Sequence, residues 1–155
     1  MWLNVRVNKE EEPIKDASLI IPVSTEKLIQ EKIYIIRHLK VMFDFDLAEL
    51  YQVKTKALNQ AVKRNIHRFP PDFMFKMTKD EKLLFQRSQI VTFGINKRKH
   101  AIFAFTEQGI AMLSSVLKSE CAIRINIHIM RTFTKMREMF LSHKELKEKI
   151  EQLVL

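Results

Sequence analysis

Apolar residues change period several times along the chain, and each change marks an element boundary. Residues 1–24 sustain no period and contain Glu10-Glu11-Glu12 and two prolines. They read as a loosely held N-terminal arm that can contribute a short strand around Ile20. Ser24 is placed to cap a brief helix through Gln30. The β-branched run Ile33-Tyr34-Ile35-Ile36 and the following Val41-Met42-Phe43 predict a hairpin turning at His38-Leu39. Asp46-Leu47-Ala48-Glu49 has the acid-x-x-Glu form of a capping box and predicts a short helix over 47–51. Thr55 is the expected cap of a second helix, in which Leu58, Ala61 and Val62 recur at helical spacing up to Ile66. Phe69-Pro70-Pro71 closes it, since a residue before proline avoids the helical region.

Phe73, Phe75 and Met77 alternate with Met74 and Lys76, as in a strand with one buried face. Thr78-Lys79-Asp80-Glu81 is a fuller capping box opening a helix through Arg87. Ile90–Phe93 and Ala101–Phe105 are strand candidates joined by the polar loop Gly94–His100. Thr106 caps a helix to Leu117, and Ser119 caps another without proline or glycine before the terminus. In that last helix Ile129, Phe133, Met136 and Phe140 form a stripe placed to cover the domain's core. His143, Leu146, Ile150 and Leu153 continue beyond it at coiled-coil-like spacing, suited to self-association. The expected architecture is α+β: a small helix-turn-helix domain with short β-hairpins over 25–118, then a long C-terminal helix over 119–155.

Composition narrows the setting. A chain of 155 residues with 46% apolar content can bury a core without disulfides or metals, and lone Cys121 cannot form an internal disulfide. No secretory signal is evident, and no run approaches the ~18 apolar residues of a membrane span. A cytoplasmic protein without membrane insertion is expected. The net charge is +9 and it is concentrated. Residues 54–68 hold Lys54, Lys56, Lys63, Arg64 and Arg68 with no acid, and residues 82–100 hold Lys82, Arg87, Lys97, Arg98 and Lys99 with none. A single block of this kind is an ordinary solvated face; two blocks between near-neutral segments are the footprint of a polyanion-binding surface.

The first block coincides with the strongest constellation. In a helix-turn-helix two short helices cross closely, which requires a small residue inside the first and apolar residues at the turn and along the second. Ala48 supplies the small contact, and Leu47, Tyr51, Val53, Leu58 and Ala61 the apolar ones. The outward positions of the second helix are then Lys54, Thr55, Lys56, Asn59, Gln60, Lys63 and Arg64. Asn and Gln can pair with adenine edges, Arg with guanine and Lys with phosphates, so this mix suits duplex DNA. A helical hairpin with a merely polar face has the same pattern, and the charge of the second helix favours DNA over it. The loop with Lys97, Arg98, Lys99 and His100 is a candidate wing reaching the backbone or minor groove. Catalytic readings fail: one cysteine and dispersed histidines give no zinc site, Cys121 reads as a buried inert thiol, and Asp44, Asp46 and Glu49 serve at a helix start. No cofactor or enzymatic activity is expected.

The strings VMFDFDLAELYQVKTKALNQAVKRNIHRFPPDFMFKMT, RSQIVTF and AFTEQGIAMLSSVLKSE closely resemble the open-reading-frame-six N-terminal domain family of bacteria and phages, a relative of KilA-N domains. The resemblance spans about residues 31–118 and implies a small α+β DNA-binding module of prophage and mobile-element regulators. The family's basic stretch falls on Val62–Ile66 and Arg68–Phe73 and its RSQ motif on Arg87-Ser88-Gln89, so Asn65, Arg68 and Arg87 join the candidate DNA contacts. His38 and Gln52 stand where the family usually has glycine. The reading is a sequence-specific duplex-DNA-binding transcriptional regulator, with a homodimer through the C-terminal helix. Its chief rival is an antirepressor-type protein-interaction module whose charge serves only steering.

Overall fold

The computed structural model describes residues 25–88 and 100–154. Residues 25–31 form α1. Strands β1 (Tyr34–Ile36) and β2 (Leu39–Phe43) pair antiparallel with Ile36 opposite Leu39. The turn is therefore Arg37-His38, one residue before the expected position, with φ of 56° and 66°. Positive φ at both central residues is what a two-residue hairpin loop needs to match the strand twist. A turn at His38-Leu39 would have set Arg37 opposite Lys40, like charge against like. Arg37 instead bonds Glu81 through Nε (2.5 Å) and Nη2 (3.0 Å), and its guanidinium lies 4.0 Å from the centre of the Phe75 ring.

The chain continues through α2 (Asp44–Tyr51), α3 (Thr55–Arg64), a single 3-10 turn (Ile66–Arg68), β3 (Met74–Lys76), α4 (Lys79–Ser88), β4 (Phe103–Thr106), α5 (Glu107–Leu117) and α6 (Glu120–Val154). The sheet order is β1-β2-β4-β3, every pairing antiparallel. The fold is α+β, as expected.

Strand alternation sends side chains to two cores. Met42 and Phe105 point into a cluster with Leu47, Tyr51, Leu58, Val62, Ile110, Leu113, Ile129 and Phe133, from the helical layer. Val41, Phe43, Phe75 and Ala104 point the other way, onto Phe85 of α4. The sheet is covered on both faces, not on the single face that the Phe73–Met77 alternation predicted. The candidate strand Ile90–Phe93 and its basic loop lie outside the described residues.

Three helix starts follow the predicted caps. Thr78 and Glu81 exchange both capping-box bonds (2.9 and 3.1 Å), Thr106 Oγ1 accepts from the Gly109 amide, and Ser119 Oγ accepts from the Ala122 amide at 3.0 Å. Two starts differ. Helix α2 begins at Asp44, not Leu47, with Phe43 as its N-cap and no side-chain cap bond. Asp44 and Asp46 both sit in its first turn, where the positive end of the helix dipole favours them. Thr55 is the first residue of α3, and Lys54 occupies the cap position. That helix ends at Arg64, because Asn65 leaves helical geometry and its side-chain amide takes the Ala61 carbonyl at 2.8 Å.

Helix α5 seats on the turn before β3 so closely that a Cβ on Gly109 would lie 2.0 Å from the Phe73 carbonyl oxygen. That oxygen also accepts the Thr106 amide at 3.0 Å, so neither partner can retreat without losing a bond. In α6 the expected core-covering stripe is shorter than predicted. Ile129 and Phe133 are buried and Met136 half-buried, but Phe140 is 67% exposed, since the domain ends before that turn of the helix. Cys121 is half-buried rather than buried, its thiol 3.9 Å from the Leu50 carbonyl.

Candidate nucleic-acid interface

Helices α2 and α3 form the helix-turn-helix that the sequence predicts. Leu47, Ala48 and Tyr51 of α2 and Leu58, Ala61 and Val62 of α3 are buried against each other and the core. Ala48 is 1% exposed, the small residue buried at the crossing. The turn opens with Gln52 in the left-handed region (φ 62°, ψ 41°). The Gln52 amide donates to the Glu49 carbonyl at 3.1 Å and the Val53 amide to the Ala48 carbonyl at 3.0 Å, a Schellman ending that aims the chain into α3. Tyr51 Oη donates to Asn126 Oδ1, and Asn126 Nδ2 donates to the Ile110 carbonyl at 2.7 Å. This buried chain of bonds fastens α2 to α5 and α6. Burial keeps the Tyr51 phenol protonated far above its ordinary range.

With one side of α3 fixed in the core, its other side is set. Lys54, Lys56, Gln60, Lys63 and Arg64 are exposed; Thr55, Asn59 and Asn65 are half-buried. Asn59 Nδ2 donates to Asp44 Oδ2 at 2.9 Å. Arg68, at the end of the 3-10 turn, is exposed and reaches Ser115 Oγ of α5 at 3.4 Å. Arg87 is also exposed but ends α4, on the opposite face of the sheet from α3. The structure therefore brings Lys54 through Arg68 together and separates Arg87 from them. Lys97, Arg98 and Lys99 lie outside the described residues. Two further exposed residues extend the α3 surface: Ala57, one position after Lys56, and His67 in the 3-10 turn. Helical spacing from Lys54, Gln60 and Arg64 identifies Ala57; nothing in the periodicity marks His67.

The electrostatics are asymmetric. Asp46 and Glu49 of α2 pair with Lys32 (3.3 and 3.5 Å), Glu81 with Arg37, Glu107 with Arg137 and Glu26 with Lys135. Burial disfavours the Lys32 ammonium, but Asp46 and Glu49 outweigh it and its pKa is raised. Among the described residues Lys54, Lys56, Lys63 and Arg64 have no acidic partner, and the first turn of α3 contains no acid. No group of His, Cys, Asp and Glu among the described residues could hold a metal ion, and no described helix is long and apolar enough to cross a membrane.

An α+β domain whose helix-turn-helix presents an acid-free, basic second helix is the class that this fold and surface define. The ORF6N domain family model matches residues 31–116, more than half of the chain, and the protein belongs to that family, as its sequence motifs suggest. Neither the curated proteins nor the solved structures yield a match.

Proposed function

We propose that this protein is a non-enzymatic regulator of a prophage or mobile element that binds duplex DNA sequence-specifically in the cytoplasm. The observation that carries this reading is the distribution of charge: Asp46, Glu49, Glu81 and Glu107 are tied to bases away from α3, while Lys54, Lys56, Lys63 and Arg64 have no acidic partner among the described residues and remain available to an external polyanion. Lys54, Lys56, Lys63, Arg64 and Arg68 meet phosphates, and Thr55, Asn59, Gln60 and Asn65 lie where base edges are read. Lys97, Arg98 and Lys99 contact flanking backbone, and Arg87, across the sheet from α3, is not part of this surface. Each neutralised phosphate contributes about 0.9 to the salt slope, so five contacts give about a 500-fold loss of affinity between 50 and 200 mM salt. Salt titration on duplex DNA, with selection from a randomised library, tests both parts. Salt-insensitive binding refutes the α3 surface, and binding only to a protein partner establishes the antirepressor-type alternative.

A second observation supports self-association. Met139, Leu146, Ile150 and Leu153 are at least 50% exposed and, with Met136 and His143, alternate at spacings of three and four along α6. That is the spacing of a seam facing another helix of the same period. A parallel pair of copies sets both domains at one end, as paired half-sites require. Sedimentation equilibrium of the full chain and of one ending at Leu141 tests it: a dimer becoming a monomer is expected, and a full-length monomer refutes the pairing.

A further inference from the structure

Asp44 opens α2 and is 1% exposed, a placement that strongly penalises a carboxylate unless its oxygens are bonded. Its Oδ1 accepts the Phe45 amide at 2.8 Å and its Oδ2 accepts Asn59 Nδ2 at 2.9 Å. The second bond spans fifteen residues and joins the start of α2 to the middle of α3. Helix α2 thus reaches into the surface that α3 presents.

A side-chain amide has a donor end and an acceptor end of nearly equal shape, and a site without directional partners accepts either orientation. An ionised carboxylate only accepts. With Nδ2 turned toward Asp44 Oδ2, Asn59 directs Oδ1 away from the carboxyl group and leaves the second Nδ2 hydrogen uncommitted to it. Asn59 follows Lys56 by three positions and precedes Lys63 by four, so it lies on the basic stripe, and it is half-buried, not enclosed. One acceptor beside one donor on a planar amide is the pattern complementary to adenine N6 and N7 in the major groove.

We propose that Asp44 is a positioning residue for base recognition: by holding the Asn59 amide in one orientation it makes adenine the preferred base at one position of the bound site. The inference rests on α3 reading DNA, as proposed above. It adds a determinant that touches no nucleotide.

The test selects duplexes from a randomised library with the full chain, Asn59→Ala, Asp44→Asn and the exchange Asp44→Asn/Asn59→Asp, measuring the thermal midpoint and affinity for random-sequence DNA in parallel. Wild type should enrich adenine at one position, and Asn59→Ala should lose about 5- to 150-fold of discrimination there. In Asp44→Asn the Phe45 amide holds the new side-chain oxygen, so the new NH2 faces Asn59 and turns its Oδ1 inward. Discrimination should fall at that same position, with affinity for random DNA within about threefold of wild type, because the phosphate contacts remain. The exchange keeps a donor facing a carboxylate but presents only acceptors outward, and should move the preference from adenine to cytosine. Unaltered adenine preference in a folded Asp44→Asn protein overturns the inference while leaving DNA binding intact. If that variant does not fold, unchanged preference in the exchange or in Asn59→Ala overturns it equally. A wild-type chain that binds DNA without any base preference, or not at all, overturns the DNA-reading function itself.

Discussion

Replacing Gln52 by glycine should stabilise the protein, and the size follows from the backbone of one turn. Gln52 holds φ 62° and ψ 41°, a left-handed conformation that costs an L residue about 1–2 kcal/mol. Glycine does not meet this penalty, but its greater freedom in the unfolded chain returns about 0.5–1 kcal/mol. The turn's two stabilising bonds run between backbone atoms, from Gln52 to Glu49 and from Val53 to Ala48, and survive the substitution. The Gln52 side chain is exposed and has no hydrogen-bond partner among the described residues. The expected net is a gain of about 0.5–1 kcal/mol, or about 1–4 °C in Tm. Urea denaturation should show a higher midpoint at unchanged m-value. Gln52→Ala, which keeps the strained φ, is the control and should lie within about 0.5 kcal/mol of wild type. A glycine variant no more stable than the alanine variant refutes the reasoning, because relief of the left-handed strain would then contribute nothing.

Three further outcomes are expected. Gly109→Ala should destabilise by about 3 kcal/mol in chemical denaturation, since its Cβ would sit 2.0 Å from a doubly engaged backbone carbonyl; an unchanged midpoint contradicts that close approach. Lys63→Ala should lower the salt slope of DNA binding by about one, equally on selected and random duplexes; a sequence-dependent loss assigns it to a base edge instead. The bond from Arg37 holds the Glu81 carboxyl below its usual value of 4.5, outweighing burial, with the Thr78 amide adding to the effect. A lowered folded-state value means that this carboxylate's contribution is full above about pH 4.5 and lost as pH falls through the folded value. The stability gap between wild type and Glu81→Gln should therefore close in melts taken from about pH 7 to pH 3, and a constant gap argues against the pairing.

The parts of the fold that sequence conveys are those decided within one turn of chain. Thr78 with Glu81, Thr106 and Ser119 each cap their helix through a bond to a residue three positions on, and all three starts were readable. The inward residues of the helix-turn-helix were readable for the same reason, because helical period alone groups Leu58, Ala61 and Val62. The Arg37-His38 turn was not, since no glycine or asparagine marks it and its place depends on a partner 44 residues away, Glu81. The early start of α2 was hidden because Asp44 makes no bond to a residue two or three positions on; its carboxylate accepts the adjacent Phe45 amide and reaches Asn59 across the helix-turn-helix. In the candidate site, composition located the basic residues but not the sheet that divides Arg87 from α3. Phe140 carries the right spacing for a core position, and only the extent of the domain excludes it.

Helix α6 runs 35 residues without proline or glycine, and its first half is locked into the core through Ile129, Phe133 and the Asn126 bond to Tyr51. It is therefore a rigid shaft about 50 Å long, splined at one end to the helix-turn-helix. Whatever grips the far end receives the angular setting of α3 along with it. Each residue inserted midway along the shaft advances that angle by about 100°, whereas seven return it almost to phase. The azimuth between gripped end and α3 is thus written in the residue count of α6, as a gear is timed by its teeth.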